Sequence, residues 1–294
     1  METNYICVIG SLNYDFFLKI NRTPKNGETM HAKAVRFSCG GKGANQAYQM
    51  GKLGLNVYMI GCVGNDTYGD QSIQSLESAN VNTSGIKRVQ TNTGLGFITV
   101  GNNGDVSAII DEGANALVDI KMIKEQYDLI FNSKIIVLQM EIPINTIEYI
   151  INEAEKNNVK IVLNPAPAQK ISEEVLNKVD YLIVNEVEAE YYLDVHVDEE
   201  QLLERIIDLR KRVKCGIVLT LGSKGSYYVN KEKTHIPIIK TKAVDATGAG
   251  DSYIGSFVYG IFNGYSEIEA CRFGAISGAK TVETYGRYSM PSQL

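Results

Sequence analysis

The chain has 294 residues, 44% hydrophobic and 21% charged, an ordinary globular composition with material for a large core. Its 29 basic and 34 acidic residues give a net charge of −5 and are mixed along the chain, so no basic patch points to nucleic acid or an anionic membrane as a partner. No segment has the apolar length of a membrane span, the start lacks a basic leader, and the five cysteines (Cys7, Cys39, Cys62, Cys215, Cys271) form no Cys-x-x-Cys pair, which together predict a cytoplasmic protein with reduced thiols.

Residues 5–10 read as a first buried strand. The strand runs into Gly10-Ser11-Leu12-Asn13-Tyr14-Asp15, which lacks the further glycines of a dinucleotide fingerprint, so NAD binding is not expected. Asn13 and Asp15 alternate just past the strand end; they face one ligand together or form a polar loop with an Asx turn. Residues 16–20 and 29–38 are β-prone, with turn chemistry at 24–27 and no helix between them, an antiparallel excursion from the main sheet. Gly40-Gly41-Lys42-Gly43-Ala44-Asn45-Gln46-Ala47 then leads into a helix through about residue 53. Gly40, Gly41 and Gly43 permit a tight turn against a ligand, and Asn45 can offer its amide to a hydroxyl. The spacing is not that of a P-loop, so Lys42 reads as a solvated lysine more readily than as a phosphate contact.

Residues 57–63 form another buried strand, followed by a helix to about 79. The runs 95–100 and 106–110 flank Asn102-Asn103-Gly104-Asp105, a strong hairpin signal. Paired with the earlier excursion, this hairpin makes a small second sheet: lid segments at about 14–39 and 94–112 inserted in a single domain over 1–294, serving as a cover, a dimer contact or both. Strands at 135–140, 160–163, 181–184 and 216–221 then alternate with helical segments, among them the amphipathic 144–156 and 199–213 and a final helix at about 266–282. The alternation predicts an α/β fold around a mostly parallel sheet with right-handed crossovers. Its apolar runs end repeatedly in polar residues, at Asn13/Asp15, Glu141, Asn164, Asn185/Glu188 and Thr220, with Asp251 beside them, and such ends share the edge where open α/β sheets bind ligands.

Asp245-Ala246-Thr247-Gly248-Ala249-Gly250-Asp251 opens an apolar helix. Gly248, Ala249 and Gly250 bare the backbone where free N–H groups and the helix dipole favour an anion. Asp251 beside them is a carboxylate base next to a phosphate donor, as phosphoryl transfer to a hydroxyl requires, or else a capping residue in a glycine-rich turn. Asn185 and Glu188, at i and i+3, hold Mg²⁺ through water or cap a helix. Thr220-Leu221-Gly222-Ser223-Lys224-Gly225 receives nucleotide phosphates on its backbone or is a simple loop, and Glu141 binds a substrate hydroxyl or stands on the surface. The three histidines, His31, His196 and His235, are far apart, which argues against a His/Cys metal site or a serine triad.

The stretches 40–46 and 244–251 resemble the two signatures of the PfkB carbohydrate kinase family. The likeness extends to Gly10-Ser11-Leu12-Asn13-x-Asp15, Pro24-x-x-Gly27-Glu28-Thr29, Gln139-Met140-Glu141, Asn164-Pro165-Ala166-Pro167, Asn185-Glu186-x-Glu188-Ala189-Glu190 and the 220–225 turn. The resemblance implies a Rossmann-like three-layer sandwich with a small β lid, and transfer of the γ-phosphoryl group of ATP to a sugar's primary hydroxyl, D-ribose being the leading case. A kinase for another sugar, sugar derivative or nucleoside and a sugar or nucleotide sensor without turnover are the alternatives. It implies that Asn13, Asp15, Gly40, Gly41, Lys42, Gly43, Asn45 and Glu141 meet the sugar, and that Asp251 is the base beside an anion hole of Gly248, Ala249 and Gly250. Asn185, Thr220, Leu221, Gly222, Ser223, Lys224, Gly225 and Gly250 would meet the nucleotide, and Glu188 would associate with Mg²⁺ through water. A K⁺ site is implied at Asp245 and Thr247, with Thr281, Thr284, Gly286 and Ser289 as its other half, and a homodimer through the lid. Three features depart from the family pattern: Tyr14 stands where a small residue is common, the loop at 286–291 is about one residue shorter, and the tail lacks the family's last helix.

Overall fold

The computed structural model describes residues 4–101, 106–214, 216–284 and 290–294. β1 (Ile6–Ile9) is buried throughout, as a strand covered on both faces must be. β2 (Asn13–Lys19) and β3 (Ala34–Gly40) leave the main sheet, and α1 (Lys42–Lys52), β4 (Val57–Gly64), α2 (Thr67–Glu77) and β5 (Asn82–Val89) return to it. β6 (Gly94–Val100) and β7 (Val106–Asp111) leave it again. A short 3-10 helix at Gly113–Leu117 precedes α3 (Ile120–Glu125), α4 (Tyr127–Phe131), β8 (Ile135–Gln139), α5 (Ile144–Lys156), β9 (Lys160–Asn164), α6 (Glu173–Leu176) and β10 (Tyr181–Asn185). The chain continues through α7 (Glu186–Leu193), α8 (Glu199–Arg210), β11 (Gly216–Thr220), β12 (Ser226–Val229), β13 (Lys233–Ile236), α9 (Ala249–Phe262) and α10 (Glu267–Thr281). Among the described residues, no helix is long and apolar enough to cross a membrane.

The main sheet has nine strands in the order β13-β12-β11-β10-β9-β8-β1-β4-β5. Every pair from β11 to β5 is parallel; β12 and β13 add an antiparallel edge. Alternate residues of each central strand feed two apolar layers. Ile9, Leu138 and Leu163 pack with Ile150 of α5 and Ile206 of α8, while Val8, Val137 and Val162 pack with Met50 of α1 and Phe257 of α9. The sheet is thus sandwiched between helices, in agreement with the three-layer expectation. β5 and the β12–β13 edge were not anticipated. Asn82-Thr-Ser-Gly-Ile-Lys-Arg-Val is polar because it is an edge strand with little to bury, so it lacks the apolar run that marks the central strands.

The smaller sheet has the order β3-β2-β6-β7, with β2 antiparallel to β3 and parallel to β6. The hairpin signal at 102–105 lies outside the described residues; β6 and β7 on either side of it pair antiparallel. Asn13 and Asp15 are therefore not loop residues after β1 but the first residues of a strand, pointing to one face of it. Tyr14 points to the other face. Its ring stacks on Tyr68 of α2 at 4.7 Å and meets Phe16 edge-on, and Phe16 in turn contacts Phe37 and Phe97. The bulky residue at position 14 thus turns away from Asp15 and belongs to an aromatic outer face.

Candidate active site

The sheet order reverses at β1. The chain builds outward through β4 and β5, then resumes at β8 on the other side, and a crevice opens at such a point beyond the carboxyl ends of the strands. Ser11, just past β1, donates to Glu141 Oε2 at 2.5 Å, and the Lys42 backbone N–H reaches the same oxygen at 3.1 Å. Glu141 is therefore turned inward and held. Asn13 is buried and its Oδ1 accepts from Asn115 Nδ2 at 2.7 Å, while Asn115 Oδ1 takes the Leu12 N–H.

Asp15 lies between backbone-bare neighbours. A Cβ on Gly40 would stand 1.9 Å from Asp15 Oδ2, and one on Gly96 would stand 2.3 Å from Oδ1. The carboxylate occupies the space that side chains on the two flanking strands would fill. Gly96→Ala is accordingly expected to push Asp15 aside and raise KM for the phosphoryl acceptor about tenfold, with KM for the nucleotide unchanged. Steady-state kinetics with each substrate varied in turn checks this.

α1 follows directly on Gly41, and Gly43 in its first turn packs against the Gly10 backbone just past β1. This presents Asn45 and Gln46 to α9. Gly248 precedes α9 in the left-handed region, at φ 77°, so that Ala249, Gly250 and Asp251 form the first turn. Asp251 does not cap the helix; no side chain does. Instead Oδ2 accepts from Asn45 Nδ2 and Oδ1 from Gln46 Nε2, both at 3.0 Å.

A cavity of about 240 Å³ joins Asp251 to the ends of β9, β10 and β11, and Lys42, Asn164, Asn185, Glu188, Thr220, Gly248 and Gly250 line it. Asn185 and Glu188 do form a capping box: Asn185 Oδ1 accepts the Glu188 N–H and Glu188 Oε2 accepts the Asn185 N–H, each at 2.9 Å. Capping and lining the cavity are compatible, since only one Glu188 oxygen is taken by the cap. Thr220 donates to Val184 O at 3.3 Å. Beyond it Leu221 is buried, Gly222–Lys224 make one exposed turn with Ser223 in it, and Lys224 pairs outward with Glu199. Gly225 follows, its backbone against Ile236. From this turn, then, it is the backbone that is open to a ligand.

Lys42 is not the solvated lysine expected from its spacing. It is partly buried and lines the cavity. Burial alone would push its ammonium down, but Asp251, Glu141, Glu188 and Asp15 together more than offset this and hold it above the ordinary lysine value. Glu188 is the counterpart. Burial pushes its carboxyl up, and the Asn185 backbone and Lys42 oppose this only in part while Asp251 adds to it. A group raised on folding loses its stabilising contribution as pH climbs through its folded value, so above the carboxylate range ionised Glu188 weakens the unliganded protein. Glu188→Gln, which keeps the capping box, is expected to raise the unliganded Tm by about 2 °C at mildly alkaline pH, and the gain should vanish as pH falls below the carboxylate range. Calorimetry across pH reads this directly.

Asp245 Oδ1 accepts from Thr247 N and Oγ1 at 2.9 and 2.7 Å. The Val244 and Asp245 N–H groups both donate to Val282 O, so this segment is tied to the end of α10. The Thr281 hydroxyl is engaged with Ser252 Oγ and Ser277 O in the α9–α10 interface, and Thr284 is exposed. Gly286 and Ser289 lie outside the described residues. Among the described residues no group of three or more His, Cys, Asp or Glu is arranged to hold a metal ion.

Sequence reasoning assigned no role to Ser11, Gln46, Asn115, Gly94 or Gly96. The alternating Gly94-Leu95-Gly96 in a β-prone run was a readable sign of close approach to a neighbouring group. Gln46 offered none, because its partner is 205 residues away.

The pattern of the pfkB family carbohydrate kinases matches residues 3–293. A ribokinase of Schizosaccharomyces pombe is 34% identical over 304 residues, covering 98% of this chain and 95% of that one. A deoxyribokinase of Salmonella typhimurium is 34% identical over 258 residues, covering 86% and 84%. Among solved structures, Arabidopsis thaliana ribokinase complexed with ribose and ATP superposes with a TM-score of 0.87 at 30% identity, covering 98% of this chain and 96% of that one. With its nine-stranded sheet, its small second sheet and both signature stretches meeting at Asp251, the chain belongs to the pfkB family of carbohydrate kinases.

Proposed function

We propose that the protein transfers the γ-phosphoryl group of ATP to the primary hydroxyl of D-ribose. The observation that carries this is the Asp251 carboxylate in the first turn of α9, held by Asn45 and Gln46 beside the cavity along β9–β11. On the sugar side Asn13, Asp15, Asn45 and Glu141 supply acceptors and donors suited to vicinal hydroxyls. Asp251 takes the proton of the attacking hydroxyl. The backbone N–H groups of Gly248 and Gly250 at the helix start receive the charge that develops on the phosphoryl oxygens, the Ala249 N–H being engaged with Ala246 O at 3.2 Å, and Lys42 adds a fixed cation beside them. The backbone of Gly222–Gly225 and the side chains of Asn185 and Thr220 bind the nucleotide.

Glu188 fits a hydrated divalent ion: its buried carboxylate opens on the cavity, and positive charge there would offset the burial that now disfavours ionisation. Mg²⁺ accompanying ATP would supply charge neutralisation between the phosphates. Asp245 and Thr247, joined to the end of α10, would hold a structural K⁺ that neutralises charge near the start of α9. The small sheet acts as a lid that excludes water. Its outer face carries Phe37 at 56% exposure and Ile109 at 73%, a patch that a second copy of the chain would cover as a lid-to-lid dimer. Sedimentation showing monomer alone at working concentrations would remove that contact.

The test is ADP release with ATP and Mg²⁺, with and without K⁺, across D-ribose, 2-deoxy-D-ribose, other sugars and nucleosides. Turnover on D-ribose is expected. Preference for 2-deoxy-D-ribose is the second reading, favoured by the equal identity to the Salmonella deoxyribokinase. Turnover on nucleosides alone, or binding without turnover, would overturn both.

A further inference from the structure

Asp251 has two donors of unlike kind. Asn45 stands at the edge of the crevice, whereas Gln46 has no exposed surface and cannot reach a substrate. Gln46 is instead one link in a buried chain of carboxamides whose polarity is set from one end. The Ile183 carbonyl can only accept, so Asn164 must direct Nδ2 to it, at 3.0 Å, and is left with Oδ1 facing Gln46. Gln46 must then present N–H, at 3.4 Å to Asn164 Oδ1 and at 3.0 Å to Asp251 Oδ1. Its own Oε1 accepts from Gln139 Nε2 at 2.7 Å. The reversed amide would set Gln46 Oε1 against two acceptors and Nε2 against a donor. Room for Gln139 comes from Gly10, where a Cβ would stand 2.0 Å from Gln139 Oε1.

We propose that Gln46 is a positioning residue for Asp251: its pre-oriented amide holds Oδ1 permanently, so that Oδ2 is the oxygen that takes the proton of the acceptor hydroxyl. The proposal rests on the reading of Asp251 as the base. A carboxylate on a short side chain in a helix's first turn is free to rotate about its last bond; a fixed donor on one oxygen removes that freedom, and catalytic geometry is sensitive to such misplacement.

The experiment compares Gln46→Met, Asp251→Asn and the double variant by steady-state kinetics, with folding checked by near-UV circular dichroism. Gln46→Met is expected to lose about 10- to 100-fold in kcat, with KM for both substrates within about threefold of the parent. In the Asp251→Asn background the same change should cost nothing further, since the group it positions is gone. An unchanged kcat in Gln46→Met, or an equal fall in both backgrounds, overturns the positioning role and leaves Asp251 as base. A kcat near that of the parent in Asp251→Asn overturns the base itself and the proposal with it. Should Gln46→Met not fold, Gln46→Asn keeps a buried carboxamide but draws its N–H away from Asp251 Oδ1 by one methylene. A severalfold fall in kcat at constant KM is then expected, and no fall would overturn the role.

Discussion

Asp251→Asn is expected to reduce kcat by about 10³-fold while ATP still binds with its parental affinity. The substitution keeps the size of the side chain and the start of α9, and it removes only a carboxylate oxygen at the edge of the cavity. The proposed anion hole is backbone, so it should survive and preserve nucleotide binding and some residual rate. Kinetics of ADP release together with calorimetric titration of ATP separates the two effects. A kcat within tenfold of the parent would leave Asp251 without its proposed role, and a lost ATP affinity would mean that the first turn of α9 had been rebuilt.

Lys42→Met is expected to lower kcat/KM for ATP by 100-fold or more, on the order of the cost of removing a fixed charge from a shielded site. Lys42 is the cation that Asp15, Glu141, Glu188 and Asp251 share, and they come to it from β2, the end of β8, α7 and α9. Without it these carboxylates face one another partly shielded from water, so the unliganded Tm should fall by about 5 °C at neutral pH. Because the raised ammonium stays charged throughout the neutral range, its contribution is fully present there. The loss should shrink as pH falls and Glu188, whose carboxyl burial pushes up, takes its proton, since a neutral partner needs no cation. Thermal melts of both proteins from acid to neutral pH check the sign. A Tm difference independent of pH would place Lys42 outside the cluster.

Both effects centre on residues that the sequence presented unequally. Asp251 was legible because what matters about it is local: small residues before an apolar helix bare the backbone, and a carboxylate follows within one turn. Lys42 was misjudged because spacing within its own segment says nothing about carboxylates arriving from other elements. Asn13 and Asp15 were legible as a pair sharing a face, but as part of a loop; it took the pairing with β3 and β6 to make them strand residues facing the crevice. For Asn185 and Glu188 the capping and functional readings proved not to exclude each other, since one Glu188 oxygen caps and the residue still lines the cavity.

The parallel central strands, the helices between them and the two signature turns were legible in the sequence. Those depend on side-chain periodicity and on which residues stand next to one another, and periodicity is set within a few positions. The tertiary structure alone decided which groups meet. It brought Asn45 and Gln46 to Asp251 across 206 and 205 residues, turned Tyr14 away from Asp15, and placed Lys42 among its carboxylates. It also fixed β5 and β13 as sheet edges, where polar strands are held by backbone pairing rather than by an apolar pattern that a sequence would display. The physical reason is the same throughout: contacts between distant segments follow from how two apolar faces pack on one sheet, a property of the whole chain that no single stretch carries.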